Sequence, residues 1–162
     1  MRVLLVYASW FGHNRSIAQV IAAELAQRGL SVTSTPASQI SRYDLAEYDL
    51  LVLGTYTHVG RASRRLRALC AAIPQRRLDH LSVALYGTHV TQPQPADGYS
   101  GVDELAACLL RRGCELALAP LHIELPARAA VSFKPALDPA AIRRIKEFAA
   151  DLWEAAVPAP MI

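Results

Sequence analysis

The chain has 162 residues, 52% hydrophobic and 19% charged, with a formal net charge of +3. That length suits one domain with a proper core, and the composition is globular rather than disordered or fibrous. The positive excess is too small to argue for nucleic acid, and no apolar run is long enough to span a bilayer.

The first predicted element is a strand over residues 2–7, a continuous apolar run after Arg2 that fits burial on both faces of a parallel sheet. It is too short, and lacks the cleavage pattern, for a signal peptide. A helix is expected from about Asn14 to Arg28, with Ile17, Val20, Ile21 and Leu25 on one stripe and Gly29 closing it. Residues 31–35 predict a second strand, rich in β-branched residues, followed by a turn over 36–40 and a single helical turn near 43–48. Leu50 to Gly54 is the third strand. After a loop over 55–61, a helix with Leu66, Leu69, Cys70 and Ile73 inward runs to Pro74. Leu81 to Tyr86 is the fourth strand. The polar loop from Gly87 to Ser100 is long enough to suggest a functional role. A helix from Gly101 to Arg112 follows. The fifth strand is expected at 115–119, with 121–125 as a continuation beyond Pro120, and residues 126–137 as irregular. Asp138-Pro139 is a strong helix start, for a helix reaching about Ala156. Residues 1–157 therefore read as one domain and 158–162 as a tail.

Strands alternating with helices predict an α/β fold, a doubly wound five-stranded parallel sheet with helices on both faces and strand order 2-1-3-4-5. Such a sheet binds ligands at the carboxyl ends of strands one and three, where the order reverses. The loops after strands one, three and four should converge there. They read Ser9-Trp10-Phe11-Gly12-His13-Asn14, then Thr55-Tyr56-Thr57-His58-Val59-Gly60, then Gly87-Thr88-His89, with Tyr99 at the far end of the last loop. The first loop leads into a helix start, whose free N–H groups and dipole suit a phosphate. Ser9, His13 and Asn14 could add donors, and Gly12 lets the backbone turn close to the ligand. The second and third loops would line a flat ring, with Tyr56 or Tyr99 stacking on it. Trp10 and Phe11 would either contact that ring or pack over the sheet edge.

With these residues the sequence resembles the flavodoxin family, whose first loop has the form Thr/Ser-x-Thr-Gly-x-Thr. Ser9 and Gly12 match it, Asn14 is a tolerable replacement, and Phe11 removes one phosphate donor. The loop from Gly54 to Gly60 looks most like the flavodoxin-type protoporphyrinogen oxidases. The resemblance implies a flavodoxin-like sheet, noncovalent FMN, and an electron carrier or small FMN-dependent oxidoreductase; the missing signal-peptide pattern separately leads us to expect the cytoplasm. It implies a redox partner; the basic residues of this chain suggest an anionic small-molecule acceptor as the alternative. Arg61, Arg64, Arg65 and Arg67 crowd the start of the helix after the third strand, where positive charge opposes the dipole. That placement leans toward an anionic acceptor, although a solvated arginine face is the plainer reading.

Two other readings compete. A flavodoxin-fold binding or regulatory module that has lost FMN would be consistent with Phe11. A metal site could form from His13, His58 and His89, one in each loop. His80 and His122 lie without supporting context and read as structural or exposed. Cys70, Cys108 and Cys114 form no Cys-x-x-Cys pair and read as reduced structural thiols. A phosphoacceptor domain would need acidic residues after strand one, where Tyr7-Ala8-Ser9 stands, and no Gly-x-Ser-x-Gly elbow is present for a serine hydrolase.

Overall fold

A computed structural model describes residues 1–91, 100–133 and 137–157. Five parallel strands form one sheet in the order β2-β1-β3-β4-β5. They are β1 (Arg2–Tyr7), β2 (Ser31–Pro36), β3 (Leu50–Tyr56), β4 (Ser82–Val90) and β5 (Leu121–Leu125). The long helices are α1 (His13–Gln27), α2 (Arg64–Ala72), α4 (Gly101–Arg111) and α6 (Pro139–Ala156), with two single-turn helices, α3 (Gln75–Leu78) and α5 (Ala127–Ala130). The expected α/β class and the 2-1-3-4-5 order are both present.

The central strands have no polar face. Val3 to Val6 and Leu50 to Leu53 are wholly buried, as an unbroken apolar run between two helical layers requires. Alternate side chains divide between two cores. Leu4, Val6, Leu51 and Leu53 meet Leu66 and Cys70 of α2 and Leu105 and Leu109 of α4. Val3, Leu5, Leu50 and Val52 meet Ile17, Ile21 and Leu25 of α1 and Ile145, Ala149 and Leu152 of α6. Each buried leucine or isoleucine contributes about 1.5–3 kcal/mol relative to exposure.

The fifth strand is not where the sequence suggests. Residues 115–119 add only a bridge between Leu116 and Val83, with Ala117 N–H donating to the Val83 carbonyl at 2.8 Å. β5 itself pairs Leu121 to Leu125 with Tyr86 to Val90. Between the two contacts this segment gains more residues than β4 does, and Pro120 has no N–H to give to the ladder. The segment leaves the sheet and rejoins it at the carboxyl half of β4. Two short helices also depart from expectation: α3 follows Pro74, and α5 lies within 126–137. The turn after β2 and the one near residue 45 are 3-10 helices, Ala37–Arg42 and Leu45–Glu47.

The candidate site

The site is built on a buried brace beneath the first loop. Gly54 of β3 pairs with Tyr7 of β1 and with Tyr86 of β4. The Tyr86 ring folds over Gly54 so closely that a β-carbon there would lie 2.0 Å from Cζ. From that position the Tyr86 hydroxyl donates to the backbone carbonyl of Asn14 at 2.8 Å, in the first turn of α1. Burial of Tyr86 pushes its phenol pKa well above the ordinary value, with neighbouring Tyr7 adding to the effect, so the hydroxyl stays a donor. Asn14 completes the brace: its side-chain amide donates to the Ala8 carbonyl at 2.9 Å, tying the entry of the loop to its exit. The side chain expected to donate to a phosphate is thus turned inward, and it holds the loop's shape. Gly54 and Tyr86 were not among the expected site residues. The Gly at the end of one strand beside a lone Tyr in the next was their only signal.

Above this brace the start of α1 is open. Gly12 takes the N-cap position at φ 87°, a left-handed conformation that glycine adopts without strain, and no side chain caps the helix or places an acid in its first turn. Ser9 lies in the adjoining loop and lines a cavity of about 350 Å³ with Trp10, His13, Tyr56, His58, Thr88 and His89. Phe11, Asn14 and Thr57 also border it. That volume falls within the range of about 300–1,000 Å³ for small-molecule sites. Buried nitrogen and oxygen atoms lie among its lining residues without a protein partner: His13 Nδ1, Asn14 Oδ1 and His89 Nδ1. His13 Nε2 lies 2.8 Å from the Ala129 carbonyl. That carbonyl can only accept, so Nε2 carries the proton and Nδ1 of the neutral ring is an acceptor.

The second loop is a tight hairpin. His58 and Arg61 exchange backbone hydrogen bonds of 2.9 and 3.0 Å, and both residues between them have positive φ, Val59 at 49° and Gly60 at 70°. This is the type I′ pattern, which suits glycine and strains a β-branched valine. Neither Val59 nor Gly60 lines the cavity; they hold His58 at its edge. Thr55 is fully buried. Its hydroxyl donates to the Tyr56 carbonyl at 2.9 Å and accepts from Ser63 N–H at 3.0 Å, so it fixes the loop rather than facing a ligand. Thr57 accepts from Gly101 N–H at 2.9 Å, fastening the loop to α4. Gly87 admits α4, since a β-carbon there would lie 2.8 Å from Val102 Cβ. Tyr99 lies outside the described residues.

The ring-bearing residues gather at the cavity mouth. Trp10 stacks on Tyr56, with centroids 4.9 Å apart and planes 25° apart, and His58 meets Trp10 edge-on at 4.9 Å. Phe11 is turned edge-on to Phe133 at 5.1 Å. The large exposed apolar side chains include Trp10, Val59, Val131 and Phe133, and Trp10 and Val131 both line the cavity.

His13, His58 and His89 all border this cavity, yet no group of three His, Cys, Asp or Glu able to hold a metal occurs among the described residues. His13 Nε2 bonds to the Ala129 carbonyl and the His58 ring packs on Trp10, so the alternative three-histidine centre is not assembled among the described residues. His122 has a context that the sequence did not disclose. Its Nε2 lies 2.9 Å from Asp103 Oδ1, and its ring centroid is 6.3 Å from that of His89. Burial alone would raise the Asp103 pKa. Hydrogen bonds from the Ser100 hydroxyl and backbone, with His122, outweigh it and hold the carboxyl below its ordinary value. The four arginines separate as well. Arg61 and Arg67 share Glu104, at 3.1 and 4.0 Å, whereas Arg64 and Arg65 have no carboxylate partner among the described residues.

A doubly wound sheet with an open helix start after β1, and with loops from β3 and β4 around one cavity, defines a class of nucleotide-type binding fold. The family model described as a flavodoxin domain matches residues 4–113, and the chain belongs to that family. It is similar to oxidised flavodoxin 1 from Bacillus cereus at 18% identity, covering 95% of this chain and 98% of that one, with a TM-score of 0.67. It is also similar to a flavodoxin from the domain Archaea, at 15% identity over 96% and 99% of the two chains, TM-score 0.72. Rubredoxin oxygen:oxidoreductase from Desulfovibrio gigas matches at 14% identity and a TM-score of 0.71, over 96% of this chain but 36% of that one. No curated protein matches the sequence.

Proposed function

We propose that this protein binds FMN noncovalently in the cavity between the three loops and serves in electron transfer, as a carrier or as a small oxidoreductase. The observation that carries this reading is the uncapped start of α1, whose His13 and Asn14 border that cavity, with Gly12 as N-cap and no acid in the first turn. A helix start of this kind favours a phosphate dianion through its N–H groups and dipole. Ser9 would add a hydroxyl donor. Phe11, turned onto Phe133, would add none, so the backbone carries most of the phosphate contact. Trp10, Tyr56 and His58 would border the isoalloxazine, and the unpaired His89 Nδ1 offers its polar edge a hydrogen-bond partner. The isoalloxazine supplies the redox chemistry when bound, and the protein tunes it by stacking and hydrogen bonds. The redox partner is either a protein or an anionic small molecule. We read the compartment as cytoplasmic, a reading supported by three cysteines spaced without a Cys-x-x-Cys pair.

The test is an absorption spectrum of the purified protein, followed by parallel titrations with FMN and riboflavin. FMN should bind more tightly than riboflavin. Ser9→Ala should weaken FMN about fivefold, the value of one hydrogen bond of about 1 kcal/mol, and leave riboflavin unchanged. A colourless protein that binds neither flavin at tens of micromolar overturns the reading in favour of a module without FMN.

A further inference from the structure

A second cavity, of about 580 Å³, lies across the Trp10–Tyr56 pair from the first. The end of β1, the 3-10 turn after β2 and the first turn of α2 enclose it, and Ser9, Trp10 and Tyr56 line both cavities. Arg64 and Arg65 line only the second. Glu104, the acid that serves the neighbouring arginines, is taken by Arg61, by Arg67 and by the Ala62 N–H at 2.7 Å. α2 itself carries no acid that would offset Arg64 and Arg65, which have no carboxylate partner among the described residues. Ser63 makes no side-chain cap, and the first turn holds no acid. Two arginines at the positive end of a helix are unfavourable by themselves. With an anion between them, the guanidinium groups and the helix dipole act in the same direction. The stacked rings of Trp10 and Tyr56 give the same cavity an aromatic wall, suited to a flat ligand body.

We propose that this second cavity binds an aromatic carboxylate, with Arg64 and Arg65 holding the carboxylate and the Trp10–Tyr56 pair bordering the ring. The binding stands on the arginines and the cavity. Its meaning, an electron partner seated one aromatic pair away from the flavin, rests on the FMN reading above.

The experiment compares 2-naphthoate with its neutral isostere 2-naphthamide by isothermal titration, on the protein as purified and after saturation with FMN. Wild type should bind 2-naphthoate saturably and about tenfold or more tighter than 2-naphthamide, as expected for a charge-assisted hydrogen bond. Added salt should narrow that gap. The Arg64→Ala/Arg65→Ala variant should lose the preference and keep the wild-type affinity for 2-naphthamide and for FMN. Both arginines are exposed, and a thermal melt matching wild type confirms that the variant folds; Arg64→Gln serves as a milder second variant. Equal binding of the two probes, naphthoate binding that ignores the substitutions, or no saturable binding at millimolar concentration overturns the proposal and leaves a solvated arginine pair. A variant with weakened FMN but unchanged riboflavin binding overturns it too, because the arginines would then serve the flavin phosphate. Charge-selective naphthoate binding in a protein that binds no flavin would remove the FMN reading and leave this site standing.

Discussion

The starts of α1 and α4 lie at the same edge of the sheet and are built in opposite ways. α4 carries its own anion. Ser100 and Asp103 form a reciprocal capping box, with the Ser100 hydroxyl 2.8 Å from Asp103 Oδ2 and the Ser100 N–H 3.1 Å from the same oxygen. Glu104 adds a second acid in the first turn. α6 is closed similarly, by Asp138 accepting from Ala141 N–H at 2.7 Å with Pro139 behind it. α1 has a glycine instead, and no acid. A helix that only has to begin is capped by its own side chains, which satisfy the free N–H groups and the dipole. A helix start left open, and braced from below by Tyr86 and Asn14, keeps those groups for something else.

Closing α1 in the manner of α4 tests this contrast most severely. Gly12→Asp puts a carboxylate at the N-cap, and aspartate tolerates the left-handed backbone there better than most residues. We expect FMN affinity to fall about a hundredfold through charge repulsion, riboflavin affinity to fall far less, and the melting temperature to hold or rise. Equal losses for the two flavins would place the phosphate elsewhere. Removing the brace comes next in size. Gly54→Ala drives a β-carbon into the Tyr86 ring, and overpacking of this kind costs about 1–3 kcal/mol. Urea unfolding should report that loss, and FMN affinity should fall with it because the loop above loses the Tyr86 bond to Asn14. A variant as stable as wild type would show that the ring can move aside freely.

The sequence discloses the layers of this fold because the strands are unbroken apolar runs and the helices carry clean stripes. Ile17, Ile21 and Leu25 bury where the periodicity places them, and Asp138-Pro139 marks the start of α6. Only the continuation of the expected fifth strand, Leu121–Leu125, becomes β5, because pattern alone cannot tell it from Glu115–Ala119; what decides is which segment pairs with β4, a long-range contact. The convergence of three loops was legible from the strand order. The direction of each side chain was not. Asn14, Thr55 and Thr57 are polar residues in the expected loops, yet each spends its hydrogen bonds on backbone groups. Gly87, expected among the residues lining the ring, makes room for α4. The pairing of Arg61 and Arg67 with Glu104, which leaves Arg64 and Arg65 without a carboxylate among the described residues, depends on a residue about 40 positions away.

The smallest effect sharpens the comparison from the side of α4. Ser100→Ala removes the N-cap and should destabilise the protein by about 1 kcal/mol, with no change in FMN affinity, since that helix start holds no ligand. Its acid dependence has a fixed sign. The Asp103 carboxyl is held below its ordinary value in the folded protein, so the unfolded chain binds the proton more readily. The stability that Asp103 contributes is therefore complete above the unfolded carboxylate pKa, about 3.9, and is lost as pH falls through the lowered folded value. Urea midpoints measured from pH 7 down to pH 2 should fall less steeply below pH 4 in Asp103→Asn than in wild type. The same substitution also removes the carboxylate from His122, whose Nε2 lies 2.9 Å from it. An identical acid slope in the two proteins would mean that the capping box frays in solution, and α4 would then be no better closed than α1.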